Sequence, residues 1–448
     1  MVLNQPALEQ ERPSGQIRLR DKKRVLSSAF VGTTIEWYDF YLYGMASALI
    51  FNEQFFPEAS AVAGILASFA TFAVGFLARP LGGIISGHLG DRIGRKKLLV
   101  FSLLTMGIAS TLIGVLPTYA TAGTAAVVGL VLLRLLQGLS AGAEWGGSAL
   151  LSVEHAPRKM RGLFGSFTQV GSSAGMLLAT GAFAISQAAF SAEEFSAFGW
   201  RIPFLLSAVL VAVGLYIRLG VEDAPEFRKL QSQNKVERSP VWEVLRNHPR
   251  AVLVTIGLRL GQIGLYVLLT VYVIGYLAER RGDNSSALTS ILIVSAIGLA
   301  GGPFWGWLSD KIGRRRIALT SAIATCLFIW PFFWFLDHGP LVLLPLVMII
   351  GVSILHDSMY GVQAAWFAEQ FPLNVRYSGV SLGYQIGAVL GGGLTPFIAA
   401  SLLQLGNGGP WLICAYITVL AALSAVAAAA AKDPAREYAK DKSLPDEF

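Results

Sequence analysis

The sequence predicts an all-α integral membrane protein, with twelve transmembrane helices in two pseudo-symmetric six-helix bundles. Three observations carry that prediction. Apolar residues fill 54% of the 448 positions and charged ones 14%, against about 45–50% and about 25% in soluble domains. The apolar residues are bundled into runs of about 20 or more, long enough to cross a ~30 Å hydrocarbon core as helices. Basic residues cluster in alternate loops, and two loop motifs of the first half recur in the second.

The elements follow in order. The amino tail 1–24 is polar and carries six basic residues from Arg12 to Arg24; it lacks the apolar core of a secretory signal, so none is expected. Helix 1 runs near 25–51 and helix 2 near 61–86, with Arg92, Arg95, Lys96 and Lys97 behind it. Helices 3 and 4 lie near 98–117 and 125–151, and three basic residues follow helix 4. Helices 5 and 6, near 162–188 and 200–219, lead into a charged linker at 220–249. Helix 7 near 250–277 is followed by Arg280 and Arg281, the two basic residues in the opposite set of loops. Helix 8 near 287–308 precedes Lys311, Arg314, Arg315 and Arg316; helices 9 and 10 near 317–336 and 340–366 precede Arg376. Helices 11 and 12, near 377–403 and 410–431, end before a charged tail at 432–448.

This distribution puts both termini and the linker in the cytoplasm, because translocated loops avoid Lys and Arg. It also explains a net charge of +7 without nucleic acid. Cys326 and Cys414 sit inside apolar runs and read as inert thiols rather than a disulfide framework.

GHLGDRIGRKK at Gly87–Lys97 and GWLSDKIGRRR at Gly306–Arg316 match at their Gly, Leu, Asp, Ile, Gly and Arg positions. Glu154, Pro157 and Arg161 likewise correspond to Glu369, Pro372 and Arg376, and Gln169, Gly171 and Gly175 to Gln385, Gly387 and Gly391. Two motifs repeated in one order make a duplicated chain: a bundle at 25–219 and a second at 250–431.

The GxxxDRxGRK loop, its weaker second copy and RLLQG in helix 4 resemble the major facilitator superfamily. That superfamily is itself the standard instance of two parallel repeats around a midplane site, so the resemblance implies this architecture and the spacing does not derive it. More narrowly, TTIEWYDFYLYG, FLARPLGG, GLSAGAEWGGSALLSVEHAP and FPLNVRYSG resemble the metabolite:proton symporters of bacterial inner membranes, carriers of shikimate, 2-oxoglutarate, citrate, aromatic acids and betaines. The resemblance implies a proton-coupled importer of a small organic acid. It needs no cofactor or metal, and it is expected to act as a monomer in the inner membrane.

For the repeated loops the resemblance implies a cytoplasmic gate: Gly87, Asp91, Arg92, Gly94, Arg95, Glu154 and Arg161 in the first half, and Asp310, Gly313, Arg314, Glu369 and Arg376 in the second. Asp91 would face the start of helix 11 and Asp310 the start of helix 5, each carboxylate meeting the partial positive charge of a helix amino end. Arg95 and Arg314 would meet acids such as Glu154 and Glu369. The alternative, that basic loops only set topology, needs charge but not this spacing.

Ionisable residues inside membrane segments are costly and mark a pathway or a partnered site. Glu36 lies eleven residues into helix 1, roughly 16 Å deep, with Asp39 about a turn further on the same face. Matching depths puts Asp39 near Arg134 of helix 4, and Glu36 or Glu144 near Arg79. Helix 7 carries Arg259, Gln262 and Tyr266 on one face, and helix 10 has His356 and Asp357 at the depth of Arg259. Helices 3, 9 and 12 have no Asp, Glu, Lys or Arg in their interiors, as expected of lipid-facing helices.

Asp39 or Glu36 is therefore the expected proton site, with Arg134, Arg79, His356 and Asp357 as coupling partners. Arg134 and Arg259 suit a substrate carboxylate, which a guanidinium grips bidentately. Tyr38, Tyr266, Gln262, Gln169, Gln385, Tyr384 and Glu144 complete the candidate substrate set. Phe40 and Tyr41 read as packing, and the glycines of helices 5 and 11 as sites of close helix approach. A static ion pair is the plainer alternative for Glu36 and Asp39, and an interhelical hydrogen bond for His356.

Other functions fit less well. The five His form no ligand cluster for a metalloenzyme, and no phosphate-binding loop supports an ATP-driven pump. A proton-driven exporter is the serious competitor, but VGSSAGMLL in helix 5 lacks the proline of such antiporters. A zwitterionic betaine is the competing substrate, its ammonium meeting an acid or an aromatic face.

Overall fold

The computed structural model describes residues 19–93, 95–142, 144–154, 156–219, 240–372 and 375–435. Gly94 lies outside the described residues, as do the side-chain surroundings of Gly87, Asp91, Arg92, Arg95 and Glu144. Of the expected tails and linker, 1–18, 220–239 and 436–448 lie outside the described residues; the first helix already begins at Leu19, and Pro240–Asn247 of the linker is a short helix.

Among the described residues no strand occurs, and the long elements are twelve helical rods. They are α1 (Leu19–Leu49), α2 (Ala61–Ile93) and α3 (Arg95–Val115), α4 (Thr124–Glu154), α5 (Arg161–Ala189) and α6 (Arg201–Leu219). The second half has α7 (Pro249–Arg281), α8 (Ser285–Ile312), α9 (Arg314–His338), α10 (Leu341–Gln370), α11 (Arg376–Leu405) and α12 (Trp411–Ala430). Nine described rods are long and apolar enough to cross a membrane, and α6 with the bent turn before it makes a tenth. The other two, α1 and α5, are 31 and 29 residues long. Their polar residues are buried in the bundle, including Glu36 and Asp39 on α1 and Ser166, Thr168, Gln169 and Ser172 on α5.

The halves meet through two crosswise pairs. α5 lies along α1 of its own half and α8 of the other, while α2 lies along α4 and meets α11. Small residues make this possible. A Cβ on Gly306 would fall 2.6 Å from the Gly162 carbonyl oxygen, and one on Gly138 would fall 2.1 Å from that of Gly75, so backbone passes backbone. At the turn from α8 to α9, Gly313 has φ 94°, a conformation that a side chain strains.

α3, α6, α9 and α12 form the outside. They expose Phe101 and Ile108, Val209 and Val213, Leu327 and Trp334, and Val419 and Val426, a surface suited to lipid and not to water. The rods nearest the axis are irregular. α10 is interrupted at Val362. Wide helical turns interrupt α7 at Leu268–Tyr272, α10 at Ile349–His356 and α11 at Val389–Gly393. Such turns re-aim side chains and gather at functional sites.

Candidate functional site

In the first half, α1 distributes its polar residues among three neighbours. Glu36 Oε1 lies 3.5 Å from an Arg79 guanidinium nitrogen, both side chains buried, and Phe76 and Phe40 cover that guanidinium at 4.7 and 5.6 Å. Asp39 points toward α3 and α6: Ser207 donates to its Oδ1 at 2.9 Å, and Ser110 is a second neighbour. Its Oδ2 is buried with no hydrogen-bond partner.

Asp39 lies near Arg134, as the depth matching expects, but the two form no ion pair among the described residues. Arg134 instead donates to Gln137 at 3.1 Å and lies 4.0 Å over the Tyr43 ring. Gln137 donates to Ser110 at 2.6 Å, so a polar side-chain path links the two charges. Depth was matched correctly and azimuth was not, because the alternative partners Gln137 and Ser110 intervene. Tyr38 also departs from the expected substrate set. Its hydroxyl donates to the Pro203 carbonyl of α6 at 2.6 Å, away from the axis. The face of α1 that reaches the other half is that of Trp37 and Tyr41: Tyr41 hydrogen-bonds Tyr266, and Trp37 meets Tyr266 and Tyr360 edge-on at 6.2 and 6.3 Å. Reading Tyr41 as packing missed this contact; its spacing from Trp37 at i, i+4 was the available signal.

In the second half, Arg259 is fully buried. One guanidinium nitrogen donates to Gln262 at 2.6 Å and Gln363 at 2.9 Å, while Nε and the other terminal nitrogen have no partner. Tyr384 covers the guanidinium at 3.9 Å and Tyr360 at 5.3 Å. No carboxylate among the described residues pairs with it. Tyr266 stacks on His356 with centroids 3.9 Å apart, and His356 Nδ1 lies 2.9 Å from Asp357 Oδ1. His356 Nε2 and Asp357 Oδ2 are buried without partners.

Gln169 and Gln385 were expected to orient substrate, and the structure gives their amides to backbone. Gln169 Nε2 donates to the Tyr360 carbonyl of α10 at 3.2 Å, and Gln385 Nε2 to the Gly142 carbonyl of α4 at 3.4 Å. The two glutamines, which correspond in the duplicated motif, thus each bridge the halves through a backbone carbonyl of the other half.

On the basic-loop side the halves are latched. Asp310 of α8 accepts from the backbone N–H groups of Gly162 and Leu163, at 2.8 and 2.9 Å, at the amino end of α5. Arg314 pairs with Asp310 at 3.3 Å and also with Glu369, and Arg161 neighbours Glu369. Arg376 of α11 reaches Glu154 of α4 at 3.9 Å.

At the opposite end an open cavity of about 280 Å3 lies between the halves, lined by residues such as Asn52, Phe69, Tyr272, Tyr276 and Gln404. It stops short of Arg134 and Arg259, because rings fill the centre. The halves are thus joined on the basic-loop side and parted by this cavity at the other end.

Comparison with known proteins agrees with this geometry. The model of the Major Facilitator Superfamily matches residues 29–372 and 264–447. The chain is 41% identical over 425 residues to the shikimate transporter of Escherichia coli (strain K12), covering 94% of this chain and 97% of that protein. It is 31% identical over 430 residues to the proline/betaine transporter of the same strain, covering 93% and 85%. The partially occluded inward-open structure of the xylose transporter XylE from E. coli has the same fold, with a TM-score of 0.71 at 18% identity over 96% of this chain and 100% of that one.

Proposed function

The chain belongs to the Major Facilitator Superfamily, and on that premise we propose that it imports a small carboxylated metabolite together with a proton, by alternating access. It is a multi-pass membrane transporter and not an enzyme. The observation that carries the substrate class is Arg259, buried, with two nitrogens lacking partners and no carboxylate beside it. A substrate carboxylate supplies the missing charge through two parallel N–H···O bonds, with Gln262, Gln363 and Tyr360 around it. The likeness to a shikimate transporter supports an acid of that kind, a hydroxylated ring carboxylate.

Asp39 is the proton carrier in this reading. Its unpartnered Oδ2 has room for a proton, and the Gln137–Ser110 path ties it to Arg134. His356 and Asp357 form a second ionisable pair, stacked on Tyr266 at the contact between halves. Each net positive charge carried inward gains about 2.3 kcal/mol per 100 mV of membrane potential, so a monoanion needs more than one proton to draw on it.

The basic-loop side is cytoplasmic here, as the positive-inside rule requires, with both termini on that side of the inner membrane. Asp310, Arg314, Glu369, Arg376, Glu154 and Arg161 hold it shut, and Asp91, Arg92 and Arg95 act as their duplicates. A betaine is the second reading, favoured by the proline/betaine relative and by the aromatic faces of Trp37, Tyr266 and Tyr360.

The test is uptake into proteoliposomes under an inward proton gradient, with labelled shikimate, di- and tricarboxylates and glycine betaine offered in parallel. Accumulation of one acid, abolished by an uncoupler, supports the reading. Accumulation of betaine alone, or expulsion of a hydrophobic cation under the reversed gradient, replaces it.

A further inference from the structure

Trp145 is not ionisable and lies in neither repeated motif, yet it joins the halves beside Arg259. It stands on α4, almost fully buried. Its indole lies flat on the Tyr384 ring of α11, centroids 3.4 Å apart and planes 13° apart. Arg259 is 3.9 Å from the same ring. One face is occupied by the indole, so the guanidinium lies on the other, and Tyr384 is sandwiched between Trp145 of the first half and Arg259 of the second.

The indole N–H donates to Gln169 Oε1 at 3.2 Å, and that glutamine's amide donates to the Tyr360 carbonyl. Tyr360 in turn faces Arg259. The contacts therefore form a closed ring through α4, α11, α7, α10 and α5. α4 runs from Arg134 toward the basic-loop end, and Trp145 lies eleven residues along that path. The sandwich thus sits between the candidate substrate site and the latch at Asp310.

The electrostatics give the ring a direction. An uncompensated guanidinium attracts the negative face of Tyr384 strongly in a dry site. A carboxylate on the free nitrogens neutralises that charge and turns the guanidinium plane toward itself. Tyr384 then loses the attraction that presses it between the two halves.

We propose that the Trp145–Tyr384 stack closes the path between Arg259 and the basic-loop end, and that a carboxylate arriving at Arg259 releases it. Trp145 and Tyr384 are positioning residues, acting through Arg259 and not on the substrate. The inference rests on the carboxylate reading above for its trigger, though not for the closure itself.

The test uses the full chain in lipid nanodiscs, with Cys326→Ser and Cys414→Ser and one reporter, Ser381→Cys. Ser381 sits on α11 against α4, where a Cβ on Gly146 would fall 2.1 Å from its Oγ. Without ligand, Trp145→Ala and Tyr384→Leu each raise maleimide labelling by about two- to tenfold, the population change that loss of one aromatic stack corresponds to. The double variant labels no faster than either single one, and Trp145→Phe, which keeps a ring, labels like the parent. Shikimate accelerates labelling of the parent and of Trp145→Phe but not of Trp145→Ala.

Parental labelling rates in both Trp145→Ala and Tyr384→Leu, or additive effects in the double variant, overturn the closure. An unchanged rate in a parent that binds shikimate overturns the release. If the parent neither binds nor transports any carboxylate, the functional reading fails and the release fails with it, while the ligand-free rates still decide the closure.

Discussion

Asp310 on α8 accepts a hydrogen bond at 2.8 Å from the backbone N–H of Gly162, the second residue of α5 in the other half. The carboxylate thereby caps a helix of the other half, 147 to 148 positions away along the chain. In the proposed transport cycle such a bond belongs to the state in which the basic-loop side is shut, and the charge of Asp310 strengthens it through the amino-end dipole.

Asp310→Asn keeps the shape and removes the charge. Charge-assisted bonds exceed neutral ones by about 1–2 kcal/mol, so the variant shifts the population toward an open basic-loop side by about five- to thirtyfold. Labelling of a single cysteine at Ser381 reads this shift. Unchanged labelling would assign Asp310 to topology alone.

Arg259→Lys retains a cation but loses the planar fork. The KM for labelled shikimate should rise by about tenfold or more, since a single point charge replaces a bidentate grip worth ~1.4 kcal/mol or more. Arg134→Lys should change KM less, because its guanidinium is engaged by Gln137 and the Tyr43 ring. Equal effects from the two would place the anion between them.

Asp39→Asn removes the titratable group and keeps a hydrogen-bond acceptor for Ser207. Proton-driven accumulation should fall to the level of equilibration, while exchange of internal for external substrate survives. Loss of both activities would make Asp39 structural; retention of accumulation would move the proton to the His356–Asp357 pair.

Glu36→Gln leaves Arg79 buried with its charge uncompensated. Removing one member of such a pair costs about 3–5 kcal/mol, seen as a lower melting temperature of the purified protein. Adding Arg79→Met should recover part of the loss. A single variant as stable as the parent would show that Arg79 finds another acceptor.

The twelve rods, their order and the duplication were legible before any coordinates. Runs of apolar residues, the loop positions of Lys and Arg, and motifs such as GHLGDRIGRKK and GWLSDKIGRRR are properties of linear order. Burial of Glu36, Asp39, Arg134 and Arg259 was legible for the same reason: each lies far from either end of an apolar run. The contact of Asp310 with the start of α5 followed the expectation drawn from the family's loop motif.

Rotation about the helix axes was not legible. Trp37 and Tyr41 face the other half while Tyr38 and Asp39 face α3 and α6, and Gln169 and Gln385 bond to backbone carbonyls of the opposite half. Trp145 stacks on Tyr384 although 239 positions separate them. Linear order determined solvent, helix count, repeat and the depth of each charge, since depth is only distance along a rod. The tertiary structure alone decided which charge met which partner, because a helix's azimuth is set by packing against all its neighbours at once, and the interruption of α10 at Val362 resets it midway.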